Sequence, residues 1–95
     1  MKILTYSYPN GDTYFYKIIK ETPKTALVIA MQRKLVKREA EISAVIKPHL
    51  GLPKGELPFR VYKRGDHWVN AASGYRKHYH TYDPARTYYD EDLTF

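Results

Sequence analysis

The sequence contains no cysteine. This absence excludes a disulfide-stabilised scaffold, zinc sites built on thiolates and a cysteine nucleophile, and it fits a reducing compartment. Long apolar runs are also missing, because no segment approaches the roughly 20 apolar residues that a membrane helix needs. The opening MKILTYSYPN lacks the apolar stretch of a signal peptide. Together these absences predict a cytoplasmic protein.

Motifs for catalysis are missing as well. Ser7, Ser43 and Ser73 do not stand in the sequence surroundings of a nucleophile elbow. The segment HLGLPKGELP is interrupted by prolines and lacks the Gly-Lys-Ser/Thr end of a phosphate-binding loop. Neighbouring carboxylates occur only in a charged stretch and near the C-terminal end, and neither set is typical of an acid–base pair. The sequence therefore predicts a non-enzymatic protein without a cofactor.

His78 and His80 are weak candidates for metal ligands. Residues two apart on a strand point to the same side, so the two imidazoles could share an ion with His67 or Asp83 as a third ligand. Such pairs are common by chance. Histidines on a strand surface also supply positive charge that depends on pH. We therefore predict no metal site.

The charge balance of the chain is strongly positive. Its 95 residues, enough for one domain, include 16 Lys and Arg against 10 Asp and Glu, a formal net charge of +6. Three of the acids stand together as Asp90, Glu91 and Asp92. We therefore expect one domain over residues 1–89, followed by an acidic tail at 90–95. A basic domain of this kind attracts polyanions or acidic protein surfaces.

Runs of β-forming residues alternate with turn signals along the chain. Aromatic and β-branched residues are frequent in KILTYSY, TYFYKIIKE and ALVIAM. In FRVYKRGDHWVNAA, apolar and polar residues alternate on both sides of a central turn. The pairs Asn10-Gly11 and Gly65-Asp66 mark hairpin turns. This pattern predicts a mainly β fold, a small SH3-like, half-closed barrel of five to seven strands.

The sequence of residues 33–47 is compatible with a helix and also with two strands. Leu35, Ile42 and Ile46 fall near helical spacing among good helix formers, which makes an α+β fold the alternative. The segment EISAVIK alternates like a strand, and no capping residue precedes the run. We therefore predict two strands joined by a charged connection.

Basic and aromatic side chains are interleaved along the predicted strands. Rings on a sheet can stack on bases while neighbouring cations hold phosphates, so we predict that the domain binds single-stranded nucleic acid. The same residue types dominate protein–protein contacts, and an acidic protein surface is the alternative partner. The tyrosines could also simply fill the core. The candidate binding residues are Lys17, Arg60, Lys63, Arg64, Arg76 and Lys77 with Tyr16, Tyr62, Tyr75 and Tyr79.

The order of several segments resembles a group of small uncharacterised bacteriophage accessory proteins. These segments are YFYKIIKETPKTALVIA, a proline-rich loop, LPFRVYKRGDHWVN and a late YHTYD, and they extend over roughly residues 12 to 83. The resemblance implies a phage-encoded protein that acts on host machinery, such as a defence complex, in the host cytoplasm. It implies no catalytic residue.

Overall fold

The protein is an all-β domain over the residues that the computed structural model describes, which are 2–9, 11–38, 43–53, 55, 57–70 and 76–90. The eight strands in these ranges are β1 Ile3–Ser7, β2 Thr13–Glu21, β3 Thr25–Arg38, β4 Ala44–Pro53, β5 Phe59–Arg64, β6 His67–Asn70, β7 Lys77–Thr81 and β8 Tyr88–Asp90. The predicted mainly β fold is confirmed. None of the described segments forms a helix of the length and hydrophobicity needed to cross a membrane.

Six antiparallel strands close into a small barrel. Around the barrel the order is β1, β2, β3, β5, β6, β7 and back to β1. The register is fixed by pairs such as Tyr16 with Ala30 between β2 and β3, and Leu4 with Thr81 between β1 and β7. Closure gives each of the six strands a partner on both sides, which protects the sheet edges. The six strands lie within the predicted range of five to seven, and the barrel is closed rather than half-closed.

The two remaining strands build an arm on the outside of the barrel. We use the word arm for the second half of β3, from Met31 to Arg38, together with β4 and β8. β3 is 14 residues long, and its first half pairs within the barrel while its second half pairs with β4. β8 then pairs with the start of β4, from Ala44 opposite Asp90 to Ile46 opposite Tyr88.

The arm also decides between the two structures that fit residues 33–47. The described part of that stretch is β-strand on both sides, and residues 39–42 lie outside the described ranges. The helical alternative is therefore wrong. The physical reason is the alternation in β4, where Ala44 and Ile46 are buried against the barrel and Val45 and Lys47 are turned away from it.

Two hydrophobic cores hold this architecture together. The first fills the barrel and contains Leu4, Tyr6, Tyr16, Ala26, Val28, Ala30, Val61, Trp68 and Tyr79. The second lies between the outer side of β1 and β2 and the arm, and it contains Ile3, Phe15, Met31, Ile46 and Tyr88. β1 and β2 thus contribute core residues from both sides, since Leu4, Tyr6 and Tyr16 belong to the barrel core and Ile3 and Phe15 to the core beneath the arm.

A buried ion pair joins β3 to β8. Arg33 Nη2 lies 3.4 Å from Asp90 Oδ2, and the two side chains are 5% and 0% exposed. The guanidinium also donates to the Thr13 carbonyl oxygen at 3.4 Å and lies 4.5 Å from the centre of the Tyr14 ring. Asp90 therefore belongs to the domain, which corrects the predicted start of an acidic tail at residue 90. Residues 91–95 lie outside the described ranges.

We expect Asp90→Asn to lower the free energy of unfolding by about 3–5 kcal/mol, because it leaves a buried guanidinium without its counter-charge. Urea unfolding followed by circular dichroism measures the effect. The matched control is Asp66→Asn, whose side chain is fully exposed and whose removal should change the stability by no more than about 0.5 kcal/mol. Equal effects of the two substitutions would contradict the structural role of Asp90.

Candidate functional site

The outer side of β5, β6 and β7 carries a concentration of positively charged and ring-bearing residues. Trp68 pairs with Tyr79, and both side chains are buried in the barrel. The alternate positions His67, His78 and His80 therefore point outward. Arg64 of β5 is the register partner of His67, so these two side chains are neighbours on the same outer surface. We call the following set the basic face: Arg60, Tyr62, Arg64, His67, Arg76, His78 and His80.

Three histidines lie in contact at the centre of the basic face. The ring centre of His67 is 5.0 Å from that of His78 and 5.7 Å from that of His80. Asp66 Oδ1 lies 3.2 Å from His67 Nδ1, and this hydrogen bond is the main cause that lowers the pKa of the Asp66 carboxyl. Among the described residues no group of three or more histidines and acids has an arrangement that could hold a metal ion. The three imidazole rings give the basic face hydrogen-bonding nitrogens and aromatic surface.

A cleft of about 450 Å³ opens at the edge of the basic face where β7 meets β1. Its lining consists of Thr5, Tyr6, Ser7, Arg76, His78, His80, Arg86 and Tyr88. Arg86 and Tyr88 come from the segment that leads into β8, and the Arg86 guanidinium lies 5.7 Å from the centre of the Tyr88 ring. None of the described residues that line the cleft is an acid. The cleft thus brings together two guanidinium groups and two imidazoles, which are groups that can donate hydrogen bonds to an anion.

Two of the predicted cations occupy the ends of the barrel instead. Lys77 Nζ lies 5.3 Å and 5.4 Å from the ring centres of Tyr6 and Tyr8, and it donates to Tyr8 Oη at 3.3 Å. Lys63 Nζ lies 5.4 Å from the centre of the Trp68 ring. Both lysines alternate inward on their strands, so they cover the core rings through cation–π contacts. The structure does not bring them together with the basic face.

Two of the predicted stacking rings belong to the core. Tyr16 and Tyr79 are 9% and 2% exposed, and their ring centres lie 5.2 Å apart at 88°. Neither ring offers a free face to a base, which corrects their assignment as binding residues. A short chain needs large rings to fill a barrel, and these two join a larger aromatic cluster. The rings of this cluster are those of Tyr6, Tyr8, Tyr14, Tyr16, Phe59 and Tyr79.

Of the other predicted binding residues, Tyr62 and Lys17 lie on different surfaces of the barrel. Tyr62 is 44% exposed and lies on the basic face. Lys17 lies on β2, in register with Ile3 and Ile29, away from that face. Tyr75 lies outside the described residues.

Sequence reasoning did not place Arg86 among the candidate binding residues. A turn brings it to the cleft: Ala85 N donates to Asp83 Oδ1 at 2.9 Å, and Arg86 N donates to the Asp83 carbonyl oxygen at 3.0 Å. The Asp83-Pro84 pair signals such a turn in the sequence. That signal does not show which strands Arg86 approaches, because β7 and β1 reach it only through barrel closure.

Comparisons of the chain with models of protein families, with curated proteins and with solved structures found no match. The resemblance to phage accessory proteins therefore stays a prediction from the residues. The functional proposal rests on the charges, rings and cleft of the site itself.

We expect the stability of the protein to fall between about pH 10 and 12 through Tyr79. Burial raises the pKa of Tyr79 to about 12, against about 10 in an unfolded chain. In this interval the unfolded state has released a proton that the folded state still holds, so the free energy of unfolding decreases as the pH rises. The contribution is complete below pH 10 and is lost as the pH passes through about 12.

Tyr79→Phe removes the titrating hydroxyl and keeps the ring, so its alkaline loss of stability should be smaller than that of the unmodified protein. Urea midpoints measured from pH 8 to 11.5 test this, with Tyr62→Phe as the control at an exposed position. Parallel pH profiles for the unmodified protein and Tyr79→Phe would show that this ring is accessible to solvent.

Proposed function

We propose that the protein binds single-stranded nucleic acid through the basic face and its cleft. The observation that carries this proposal is the convergence of cations from three separate segments on one side of the barrel. Arg60 and Arg64 come from β5, Arg76 directly precedes β7, and Arg86 comes from the turn before β8. In a chain with a net charge of +6, such a surface attracts a polyanion and guides its approach.

The residue types of the basic face match the two parts of an unpaired nucleotide. Guanidinium groups donate in pairs to phosphate oxygens and also stack flat on exposed bases. The exposed ring of Tyr62 lies between Arg60 and Arg64 on β5 and offers a further stacking surface. Arg60 is held in place because its Nη1 donates to Thr25 Oγ1 at 3.3 Å.

The cleft favours a single strand over a duplex. An unpaired nucleotide can turn its phosphate or its base into a cleft of about 450 Å³, whereas the nucleotides of a duplex are held in a continuous stack. The lining takes Arg86 and Tyr88 from the segment around the start of β8, and Arg76, His78 and His80 from the region of β7, so an inserted group would meet guanidinium groups from two segments. An acidic surface of a host protein is the competing partner, because arginine and tyrosine also dominate protein contacts.

Fluorescence anisotropy with labelled single-stranded RNA and DNA, at several salt concentrations, tests the proposal. Arg76→Ala should weaken binding for all sequences and reduce the salt slope by about 0.7 for each phosphate that the variant no longer neutralises. Tyr62→Ala should weaken binding by about 1–3 kcal/mol with little change in slope, because it removes a stacking ring. Lys20→Ala, which removes one exposed charge from β2, is the control and should have a small effect.

The same titrations separate the two candidate partners. If the unmodified protein binds neither RNA nor DNA at low salt, where electrostatic attraction is strongest, the proposal fails. The basic face would then be the contact surface for an acidic protein. If Lys20→Ala weakens binding as much as Arg76→Ala does, the attraction is spread over the whole surface and the basic face has no special role.

The imidazole rings of the cleft should also contribute to nucleic-acid binding. His78 and His80 line the cleft together with Arg76 and Arg86, and Arg64 and Asp66 flank the adjoining His67. An imidazole ring can stack on an unpaired base, so the removal of both rings should weaken binding.

The double variant His78→Gln, His80→Gln should therefore bind a short oligonucleotide more weakly than the unmodified protein. Anisotropy titrations at a fixed ionic strength and pH measure the affinities. His49→Gln is the control, since His49 lies on β4 away from the cleft. An unchanged affinity of the double variant would show that the two histidines do not contact the ligand.

A further inference from the structure

The outer side of the arm is a second positively charged surface. The inward positions of β4 and β8 are buried, so the alternate positions point away from the barrel. We call this outward set the arm face, and it consists of Lys34, Lys37, Val45, Lys47 and Tyr89. All five lie in strands of one sheet, β3, β4 and β8. None of them is among the residues that line the cleft.

Two lysines face each other directly on this surface. Lys34 of β3 and Lys47 of β4 are register partners in an antiparallel pair, and both are exposed. Like charges directly opposite each other weaken a strand pair. Among the described carboxylates none lies within ion-pair distance of either lysine. An anion placed between the two ammonium groups would offset the repulsion between them.

An exposed ring lies beside this lysine pair. Val45 is the register partner of both Lys37 and Tyr89, and Val45 and Lys47 point to the same side of β4. Tyr89 is 37% exposed. The arm face thus has an aromatic and apolar centre with lysines around it, which is the combination that stacks a base and holds its phosphates.

β8 connects the arm face to the cleft. Tyr88 and Tyr89 are neighbours on this strand and point to opposite sides, so Tyr88 lines the cleft while Tyr89 lies on the arm face. β8 is also the last strand of its sheet. A flexible strand that leaves the cleft can therefore pass around the edge formed by β8 and reach the arm face without crossing the barrel.

We propose that the arm face is a second contact surface for the nucleic-acid strand held by the basic face. In this arrangement Lys34 and Lys47 share a phosphate and Tyr89 stacks on a base. The inference rests on the proposed function and adds a specific consequence. Only a strand long enough to occupy both surfaces binds at the arm face as well, and the two interactions then act as linked binding events.

The test is a series of oligothymidylates from about 4 to 16 nucleotides, the range of site sizes known for small single-strand binding domains. The unmodified protein should bind the longer oligonucleotides more tightly, with a step at the length that reaches the arm face. Lys34→Glu should weaken binding of the long oligonucleotides by roughly tenfold and leave the short ones close to their original affinity. Arg76→Ala should weaken both groups, since it changes the basic face.

Lys34→Glu should also raise the thermal stability of the free protein, whereas a folding defect would lower it. Lys34→Glu places a carboxylate opposite Lys47, so the like-charged pair becomes an opposite-charged pair. The melting temperature at low salt should rise by about 1–5 °C, while the affinity for the long oligonucleotide falls. Lys20→Glu is the control for the general reduction of positive charge. A further substitution, Lys47→Glu in the Lys34→Glu background, should remove the gain in melting temperature.

The results distinguish failure of this inference from failure of the proposed function. If Lys34→Glu affects long oligonucleotides no more than Lys20→Glu does, the arm face does not touch the strand, while binding at the basic face still stands on the result for Arg76→Ala. An affinity that does not change with oligonucleotide length likewise overturns the role of the arm face. If the unmodified protein binds no oligonucleotide, both proposals are overturned together.

Discussion

The packing of the arm onto the barrel through Phe15 is the interaction on which the functional surfaces depend. Phe15 is fully buried, and its ring meets those of Tyr82 and Tyr88 edge-on, with centres 5.6 Å apart in both cases. Tyr88 Oη also accepts a hydrogen bond from Asp83 N at 3.1 Å, which fixes the turn that carries Arg86. Without this packing Tyr88 would not be held against Ile3 and Phe15, and the cleft would lack the lining provided by Arg86 and Tyr88.

Strand alternation separates core side chains from surface side chains in the barrel. On β7, Tyr79 points into the core while His78 and His80 point out, and on β5 Val61 points in while Arg60 and Tyr62 point out. One short strand therefore supplies both core packing and surface charge. The lysines at inward positions near the barrel ends reach over aromatic rings instead of entering the core, which keeps their ammonium groups hydrated while their stems are partly buried.

Part of the positive charge of the chain lies on surfaces that the arm helps to create. The basic face is formed by the barrel alone. Its cleft also requires the segment before β8, and the arm face requires that β3 extends beyond the barrel. The buried pair of Arg33 and Asp90 holds this extension in place, so one acid of the C-terminal triplet serves the fold.

The sequence by itself determined the class of fold, because alternation and the two hairpin turns specify strands locally, and it determined the positive charge and the presence of rings. It also showed that His78 and His80 share a side of their strand. Only the tertiary structure decided which tyrosines are core and which are surface, because TYFYKIIKE is apolar on both sides and either side could have faced inward. Only the tertiary structure also decided that Arg86 reaches the cleft and that Lys34 lies opposite Lys47. Their positions follow from closure of the barrel and from the register of the arm, which depend on contacts between residues far apart in the chain.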